Sequence, residues 1–181
     1  MPMNTVKVLD KTFAKSIPEE EIIKRVKELA AQINNDMAGK NPIFLAVLNG
    51  AFVFAADLFR EITIPCEISF VKLASYQGTT STGKITDVIG INEDLSGRTV
   101  IILEDIVDTG HTIKKMTETL GTRNPKSIHV CSLLLKPDSL VEDVNVEYAA
   151  FKIPNDFIVG YGLDYDHKGR NLRDIYTVVE D

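Results

Sequence analysis

The sequence predicts an α/β fold, in which one domain spanning residues 1–181 is built around a central, mostly parallel β-sheet flanked by helices. Short apolar runs rich in β-branched residues, such as 43–48 and 99–103, are typical of parallel strands that are covered on both faces. A helical pattern follows the second run, with Ile113, Met116 and Leu120 at spacings i, i+3 and i+7. Because strands and helices alternate along the chain, the sheet is predicted to be parallel.

Local signals predict the other elements. Ser16-Ile-Pro-Glu19 has the form of a capping box, with a proline just inside the helix that it opens. The segment 51–60 is apolar nearly all round, which predicts a buried helix. We expect the last third of the chain and the chain termini to form a small hood subdomain over the edge of the sheet. Further strands are predicted at 68–73, 127–135, 148–153, 157–159 and 176–179.

Composition limits the classes of function. The formal net charge of −6 argues against broad nucleic-acid binding, which usually needs a basic surface. Cys66 and Cys131 are far apart and lie in apolar surroundings, which predicts two inert core thiols. No segment resembles a signal peptide, and the apolar stretches are far shorter than the roughly 18 residues of a membrane span. We therefore expect a cytoplasmic protein without a membrane partner.

Three carboxylates stand where the central predicted strand ends. Glu104 and Asp105 follow the apolar run directly, and Asp108 comes three positions later. Ligands of open α/β sheets bind beyond the carboxyl ends of the strands. Two neighbouring carboxylates can accept hydrogen bonds from vicinal ribose hydroxyls or help to hold Mg²⁺. A single acid here would be read as a helix cap, but three acids within five residues favour a site.

The residues from Thr109 to Thr112 are small or polar and open the next helix. Amides at a helix N-terminus attract phosphate, and the two threonine hydroxyls add donors. Asp108 lies between the acids and this loop, placed to exchange a proton with a substrate nitrogen. The segment therefore predicts a site for a phosphorylated sugar.

The segment from Ser75 to Lys84 has no periodicity and is predicted to be a long mobile loop. Residues 78–84 match most of a P-loop, which would indicate a nucleoside triphosphatase. A P-loop, however, needs Ser or Thr after its lysine and must open a helix. Here Ile85 follows the lysine, and the residues after it are poor helix formers. We therefore reject the triphosphatase interpretation.

The segment from Glu104 to Thr112 closely resembles the phosphoribosyl-pyrophosphate signature of type I phosphoribosyltransferases. Other segments resemble the hypoxanthine/guanine phosphoribosyltransferases, in the same order along the chain, and the resemblance covers roughly residues 10 to 178. It implies the type I phosphoribosyltransferase fold with a hood subdomain. The other resembling segments are Leu48-Asn49-Gly50, Ser75-Tyr76, Leu135-Lys136-Pro137, residues 153–165 and Arg170.

The resemblance also implies an activity. That family transfers a 5-phosphoribosyl group from phosphoribosyl pyrophosphate to N9 of a 6-oxopurine, with Mg²⁺ as cofactor, in purine salvage. Hypoxanthine, and guanine as a second substrate, would give IMP and GMP with release of pyrophosphate. The family forms homodimers and homotetramers. The sequence does not rank hypoxanthine against guanine and does not exclude xanthine.

By resemblance, Asp108 is the general acid/base that faces purine N7, while Glu104 and Asp105 hold the ribose hydroxyls and the metal environment. The other implied roles fall to residues outside the three acids. The 5′-phosphate is cradled by Thr109, Gly110, His111 and Thr112; pyrophosphate is met by Asn49, Gly50 and Arg170; the purine is bound by Lys136, Phe157, Ile158 and Asp164, with Asp164 also beside Mg²⁺; and Ser75 and Tyr76 begin the mobile loop.

Two positions depart from the family's pattern. Asn49 stands where a basic residue is often found, so pyrophosphate is contacted there by the backbone or is held less tightly. His111 stands where a lysine is common, and it either contacts phosphate directly or contributes mainly its amide. A different class of function also fits the signature, namely a regulator that keeps the phosphoribosyl-pyrophosphate site and binds nucleic acid. The acidic chain, together with Lys136, Phe157, Asp164 and Arg170, favours the enzyme.

Overall fold

The computed structural model describes residues 4–75 and 85–179 as three helices, ten strands and one short 3₁₀ helix. The helices are α1 (Glu19–Asp36), α2 (Phe52–Arg60) and α3 (His111–Gly121), and the 3₁₀ helix is Pro137–Ser139. The strands are β1 (Thr5–Val8), β2 (Lys11–Ile17), β3 (Ile43–Leu48), β4 (Glu67–Ser75), β5 (Ile85–Ile89), β6 (Thr99–Val107), β7 (Ser127–Leu135), β8 (Tyr148–Lys152), β9 (Ile158–Val159) and β10 (Ile175–Val178).

The larger sheet has the strand order β5-β4-β3-β6-β7-β8. Its five strands from β4 to β8 in that order are parallel, and β5 pairs antiparallel with β4 at one edge. Helices α1 and α2 pack on one face of this sheet, and α3 packs on the other. The central α/β prediction is therefore confirmed, and β6 lies in the middle of the sheet with both faces covered.

A second, antiparallel sheet joins the two ends of the chain in the order β1-β2-β10-β9. Strands β1 and β2 were missed by the sequence analysis, because their burial alternates irregularly and their sequences carry lysines. Phe13 is fully buried in this small sheet, against Val159 and Tyr176. The N-terminal strands thus help to bury the segment that begins at β9.

The predicted capping box at Ser16 is wrong. Ser16 belongs to β2, and its hydroxyl donates to the carbonyl oxygen of Ile175 at 3.1 Å. Helix α1 begins at Glu19, whose amide donates to Asp174 Oδ1 at 2.8 Å. The N-terminus of α1 is therefore capped from the other end of the chain, because β2 and β10 pair directly beside it.

Two other predictions need correction. Helix α2 is not buried all round, since Phe52 is largely exposed while Phe54, Ala55 and Leu58 are buried. Strand β6 does not end at position 103 but continues to Val107, and it pairs with β7 along this whole length. The first two acids therefore lie within the strand, where the sheet holds them rigidly. None of the helices in the described ranges is long and apolar enough to cross a membrane.

Candidate active site

Two adjoining cavities lie at the carboxyl end of β6. The β6 cavity has a volume of about 240 Å³, and the Phe157 cavity has a volume of about 230 Å³. They share Asp105, Ile106 and Asp108, so the end of β6 forms the wall between them. The β6 cavity is lined by residues 104–110, Thr112 and Ile113, and the Phe157 cavity by Asp105, Ile106, Asp108, Lys136, Asp156, Phe157, Ile158, Leu163 and Asp164.

Glu104 and Asp105 form a buried acidic pair. Glu104 is only 7 % exposed, and burial together with the neighbouring Asp105 raises its pKa well above the usual value. Burial also raises the pKa of Asp105, although the Ile106 amide and the positive charge of Arg170 work in the opposite direction. Because burial disfavours the charged forms, this pair would gain stabilisation from a bound cation or hydroxyl donor.

The loop after β6 leads directly into α3. Gly110 is the N-cap residue of α3 and has a φ of +88°, and within the described part of the chain no side chain caps the helix. A side chain at Gly110 would meet Leu140, Glu142 and Val144 at 3.0–3.4 Å. The first amides of a helix have no partner within it. The loop therefore presents amides at the positive end of the helix dipole, beside the β6 cavity.

His111 begins α3 but does not line either cavity. Its ring nitrogen Nδ1 lies 2.8 Å from Glu142 Oε1, and Lys114 binds the other carboxylate oxygen of Glu142. The hydrogen bond and positive charge of Lys114, together with the hydrogen bond of His111, hold the pKa of the Glu142 carboxyl below its usual value. Glu142 was not predicted as a site residue, because nothing in the sequence links it to a helix that begins 31 positions earlier.

Asp108 is joined to Lys136 across the ends of β6 and β7. Lys136 is only 6 % exposed, and its Nζ donates to Asp108 Oδ2 at 3.1 Å and to Asn155 Oδ1 at 3.3 Å. An ammonium group has three N–H donors. Among the described residues these are its two hydrogen-bond partners, which leaves one N–H for a ligand in the Phe157 cavity. Asn155 belongs to the segment 153–165 that resembles the family, but no local sequence pattern predicts its contact with Lys136.

Phe157 is 41 % exposed and forms an aromatic wall of its cavity. Its ring packs edge-to-face on Tyr165, with centroids 5.4 Å apart, and lies 5.9 Å from the ring of Phe13. Tyr165 donates to Asp10 Oδ1 at 2.7 Å, so the N-terminal hairpin supports the ring from behind. Ile158 has a buried side chain, and its backbone pairs with Thr177 in the small sheet.

The Asn49-Gly50 turn packs between Asp105 and a second turn, which contains Gly162. A side chain at Gly50 would lie 1.6 Å from Asp105 Oδ2, and one at Gly162 would lie 2.3 Å from the Gly50 carbonyl oxygen. The peptide bond between Leu48 and Asn49 is cis. These contacts place the Asn49-Gly50 turn directly against Asp105, so a side chain at position 50 would force Asp105 to move.

Arg170 links the second turn to Asp164. Its Nη1 donates to the Gly162 carbonyl oxygen at 2.7 Å, and its Nη2 lies 2.8 Å from Asp164 Oδ1. The second oxygen of Asp164 accepts a hydrogen bond from the His167 amide at 2.8 Å. Arg170 and Asp164 are thus fixed beside the Gly50 turn, although they are far from it in sequence.

The fit of a metal ion can be tested on the buried oxygens. Glu104 Oε2 is buried and has no hydrogen-bond partner among the residues that the structure describes, and carboxylate oxygens are suitable ligands for Mg²⁺. Within the described ranges, no three His, Cys, Asp or Glu side chains are grouped closely enough to hold a metal by themselves. Mg²⁺ commonly takes only one or two protein carboxylates and completes its shell with water and substrate phosphates. The residues present therefore fit an ion that arrives with a phosphorylated substrate.

Most of the predicted site residues are brought together by these contacts. Most of the predicted mobile loop, namely Tyr76 and positions 77–84, lies outside the described residues, and Ser75 is the last residue of β4.

The two cysteines differ in burial. Cys131 is buried and Cys66 is only half-buried, and burial raises the pKa of both thiols.

Comparison with known proteins gives a consistent result. Residues 15–166 match the family model described as the phosphoribosyl transferase domain. A hypoxanthine-guanine phosphoribosyltransferase of Streptococcus mutans is 42% identical over 90% of this chain and 91% of its own length. A hypoxanthine phosphoribosyltransferase of Salmonella typhimurium is 42% identical over 90% of this chain and 93% of its own length.

Solved structures agree with the sequence comparisons. The crystal structure of a hypoxanthine-guanine phosphoribosyltransferase from Bacillus anthracis superimposes with a TM-score of 0.82 at 40% identity, over 92% of this chain and 96% of that one. The chain therefore belongs to the phosphoribosyltransferase family and, within it, to the hypoxanthine and hypoxanthine-guanine phosphoribosyltransferases. It is an enzyme of the pentosyltransferase class.

Proposed function

We propose that this enzyme transfers the 5-phosphoribosyl group of phosphoribosyl pyrophosphate to N9 of hypoxanthine, and of guanine as a second substrate, giving IMP or GMP and pyrophosphate. The observation that carries this proposal is the pair of cavities that share Asp105, Ile106 and Asp108. One cavity adjoins a helix N-terminus suited to a phosphate, and the other has an aromatic wall and a buried lysine suited to a purine. A bond between the two ligands would form at the shared wall.

The β6 cavity would hold the phosphoribosyl group. The amides of residues 109–112 would bind the 5′-phosphate at the positive end of α3. Glu104 and Asp105 would accept hydrogen bonds from the two ribose hydroxyls, which would relieve the unfavourable burial of these carboxylates. His111 would contribute chiefly its amide, because Glu142 binds its ring.

The Phe157 cavity would hold the base. Phe157 would stack on the purine, and the backbone of Ile158 would meet its edge. The free N–H of Lys136 would donate to a 6-oxo group, whereas a 6-amino group would present a second donor to a cation. Selection of a 6-oxopurine over adenine follows from that mismatch.

Asp108 would accept the proton from purine N7 as N9 forms the new bond and pyrophosphate leaves. It is half exposed to the cavities and is oriented by its contact with Lys136. Positive charge would develop at the anomeric carbon as pyrophosphate leaves, and the carboxylates of β6 that line this cavity would stabilise it. The Asn49-Gly50 backbone and Arg170 would hold the leaving pyrophosphate.

Mg²⁺, when bound, would neutralise charge on the pyrophosphate and so improve it as a leaving group. Glu104, Asp105 and Asp164 are the residues that would hold the ion or the water molecules around it. Ser75 and Tyr76 would begin a loop that closes over the substrates and excludes water. Assembly as a homodimer or homotetramer and a cytoplasmic location are further parts of this proposal, which rest on the family resemblance.

The proposal is tested by mixing the protein with Mg²⁺ and phosphoribosyl pyrophosphate, and with hypoxanthine, guanine, xanthine or adenine in separate reactions. We expect nucleotide from hypoxanthine and guanine and very little from adenine, with none in the presence of a chelator. Equal rates with adenine and hypoxanthine would contradict the role given to Lys136. A lack of product with every base, combined with tight and salt-sensitive RNA or DNA binding, would favour the regulator instead.

A further inference from the structure

The turn that follows β9 has an unusual backbone. Gly160, Tyr161 and Gly162 have φ values of +104°, +48° and +100°. Positive φ is easy for glycine, but it is uncommon for a residue as bulky as tyrosine. Such conformations persist only where the surrounding structure fixes them, and they are concentrated at functional sites.

Backbone encloses this turn on both sides. A side chain at Gly160 would lie 2.1 Å from the Asp174 carbonyl oxygen, and one at Gly162 would lie 2.3 Å from the Gly50 carbonyl oxygen. The turn is therefore wedged between the C-terminal segment and the Asn49-Gly50 turn. A small displacement of the Gly160–Gly162 turn would therefore shift the backbone of Gly50, which packs against Asp105.

The side chain of Tyr161 links the Gly160–Gly162 turn to helix α2. It is only 3 % exposed, its hydroxyl donates to Asp57 Oδ2 at 2.5 Å, and its amide donates to the Leu172 carbonyl oxygen at 2.8 Å. Burial and Asp57 raise the pKa of the phenol, so the hydroxyl stays protonated and remains a donor. Helix α2 begins at Phe52, directly after the Asn49-Gly50 turn.

The bond between Tyr161 and Asp57 thus connects the two turns a second time. Gly162 packs directly against Gly50. Tyr161 hydrogen-bonds to Asp57 of α2, the helix that follows Gly50 in the chain. Arg170 is attached to the same turn through the Gly162 carbonyl oxygen, whereas Asp164 is also held by the His167 amide.

We propose that Tyr161, through its hydrogen bond to Asp57, is a positioning residue that holds the Asn49-Gly50 turn and Arg170 at the spacing needed to bind the pyrophosphate group. This inference rests on the proposed function. Neither Tyr161 nor Asp57 lines the β6 cavity or the Phe157 cavity, so both act through other residues. The expected signature is weaker binding of phosphoribosyl pyrophosphate with little change for the base.

The variant Tyr161→Phe should fold. Asp57 lines a separate surface cavity of about 210 Å³ with Lys27, Arg60 and Glu61, so the carboxylate that loses the phenol can be hydrated and stays near two cations. The KM for phosphoribosyl pyrophosphate should rise about three- to tenfold, the usual worth of one hydrogen bond. The KM for hypoxanthine should change less than about twofold.

Tyr148→Phe is a matched control. Tyr148 is also buried, and its hydroxyl donates to an aspartate of a helix, Asp36 Oδ2, at 3.1 Å. That pair joins β8 to α1 and lines neither cavity. Both variants should lower the melting temperature, but only Tyr161→Phe should change the ratio of the two KM values.

A second pair of variants tests the acceptor. Asp57→Asn keeps an acceptor oxygen and should leave the KM for phosphoribosyl pyrophosphate near that of the wild type, whereas Asp57→Ala should raise it as Tyr161→Phe does. If the wild type is active and Tyr161→Phe or Asp57→Ala matches Tyr148→Phe in both KM values, this inference alone is overturned. If the wild type makes no nucleotide from any base, both the proposed function and this inference are contradicted.

Discussion

The two cavities of the candidate active site are of nearly equal size but are built differently. The β6 cavity is lined by one nearly continuous segment, from Glu104 to Ile113. The Phe157 cavity takes Lys136 from just after β7, Phe157 and Ile158 from the start of β9, and Asp164 from a later turn. The first is therefore a property of one strand and one loop, and the second depends on how two sheets pack.

This difference separates two kinds of chemistry. The β6 cavity offers helix amides and carboxylates, which suit a phosphorylated sugar whatever base accepts it. The Phe157 cavity offers an aromatic ring and an oriented ammonium group, which would select the base. If the proposed function is correct, changes in the first region should affect every base alike, and changes in the second should affect the choice of base.

The largest effect is expected at the shared wall. Asp108→Asn should lower kcat by about 10²- to 10⁴-fold, the usual contribution of a general acid/base, and it should do so for hypoxanthine and guanine equally. Substrate binding should be largely kept, because the amide has nearly the same shape. Steady-state kinetics with both bases would measure this. Asp143→Asn changes an exposed acid nearby and should be silent, whereas full activity of Asp108→Asn would remove Asp108 from the mechanism.

Gly50→Ala should damage the sugar-phosphate side. The added methyl group would overlap Asp105 Oδ2, and overpacking costs about 1–3 kcal/mol. We expect kcat/KM for phosphoribosyl pyrophosphate to fall about 5- to 150-fold with either base. The matched control is Gly121→Ala, since a side chain there meets nothing within 4 Å. A base-dependent loss in Gly50→Ala would show that the two cavities are not separable in this way.

Lys136→Ala should change the choice of base. It removes a charged donor, worth about 1.5–3 kcal/mol, so the preference for hypoxanthine over adenine should shrink by about 10- to 100-fold. The measurement is the ratio of kcat/KM for the two bases, with the exposed Lys126→Ala as control. A ratio that stays at the wild-type value, even with lower activity, would mean that Lys136 only orients Asp108.

The smallest effect concerns stability without substrate. Burial raises the pKa of Glu104 above its usual value near 4.5, so between these two pKa values the folded chain binds a proton that the unfolded chain releases. The free energy of unfolding should therefore fall as pH rises through that interval, by at most about 1.4 kcal/mol per pH unit. Glu104→Gln carries no such proton, so its melting temperature should improve relative to the wild type as pH rises above the usual glutamate pKa of 4.5.

The control for this effect is Glu118→Gln, which changes an exposed acid of α3. Its melting temperature should follow that of the wild type at every pH. Parallel curves for Glu104→Gln and the wild type would show that Glu104 is ionised in the folded protein, and that its charge is balanced without substrate.

Much of the fold could be predicted from periodicity, because β3, β6, β7 and α3 carry strong local patterns. The errors arose where a distant segment supplied a partner. Ser16 looked like a helix cap, but the cap of α1 is Asp174, and no local rule can find a partner 155 positions away. The strands β1 and β2 were missed for a similar reason, since they are stabilised by β10 and the buried Phe13 more than by their own pattern.

The sequence by itself determined the phosphoribosyl side of this protein. Three carboxylates and a loop of small donors follow one another along the chain, and a strand entering a helix fixes their geometry locally. Only the tertiary structure decided that Lys136 lies between Asp108 and Asn155, that Glu142 binds the ring of His111, and that Tyr161 and Asp57 join two distant turns. Those contacts depend on packing between elements far apart in sequence, which local propensities do not encode.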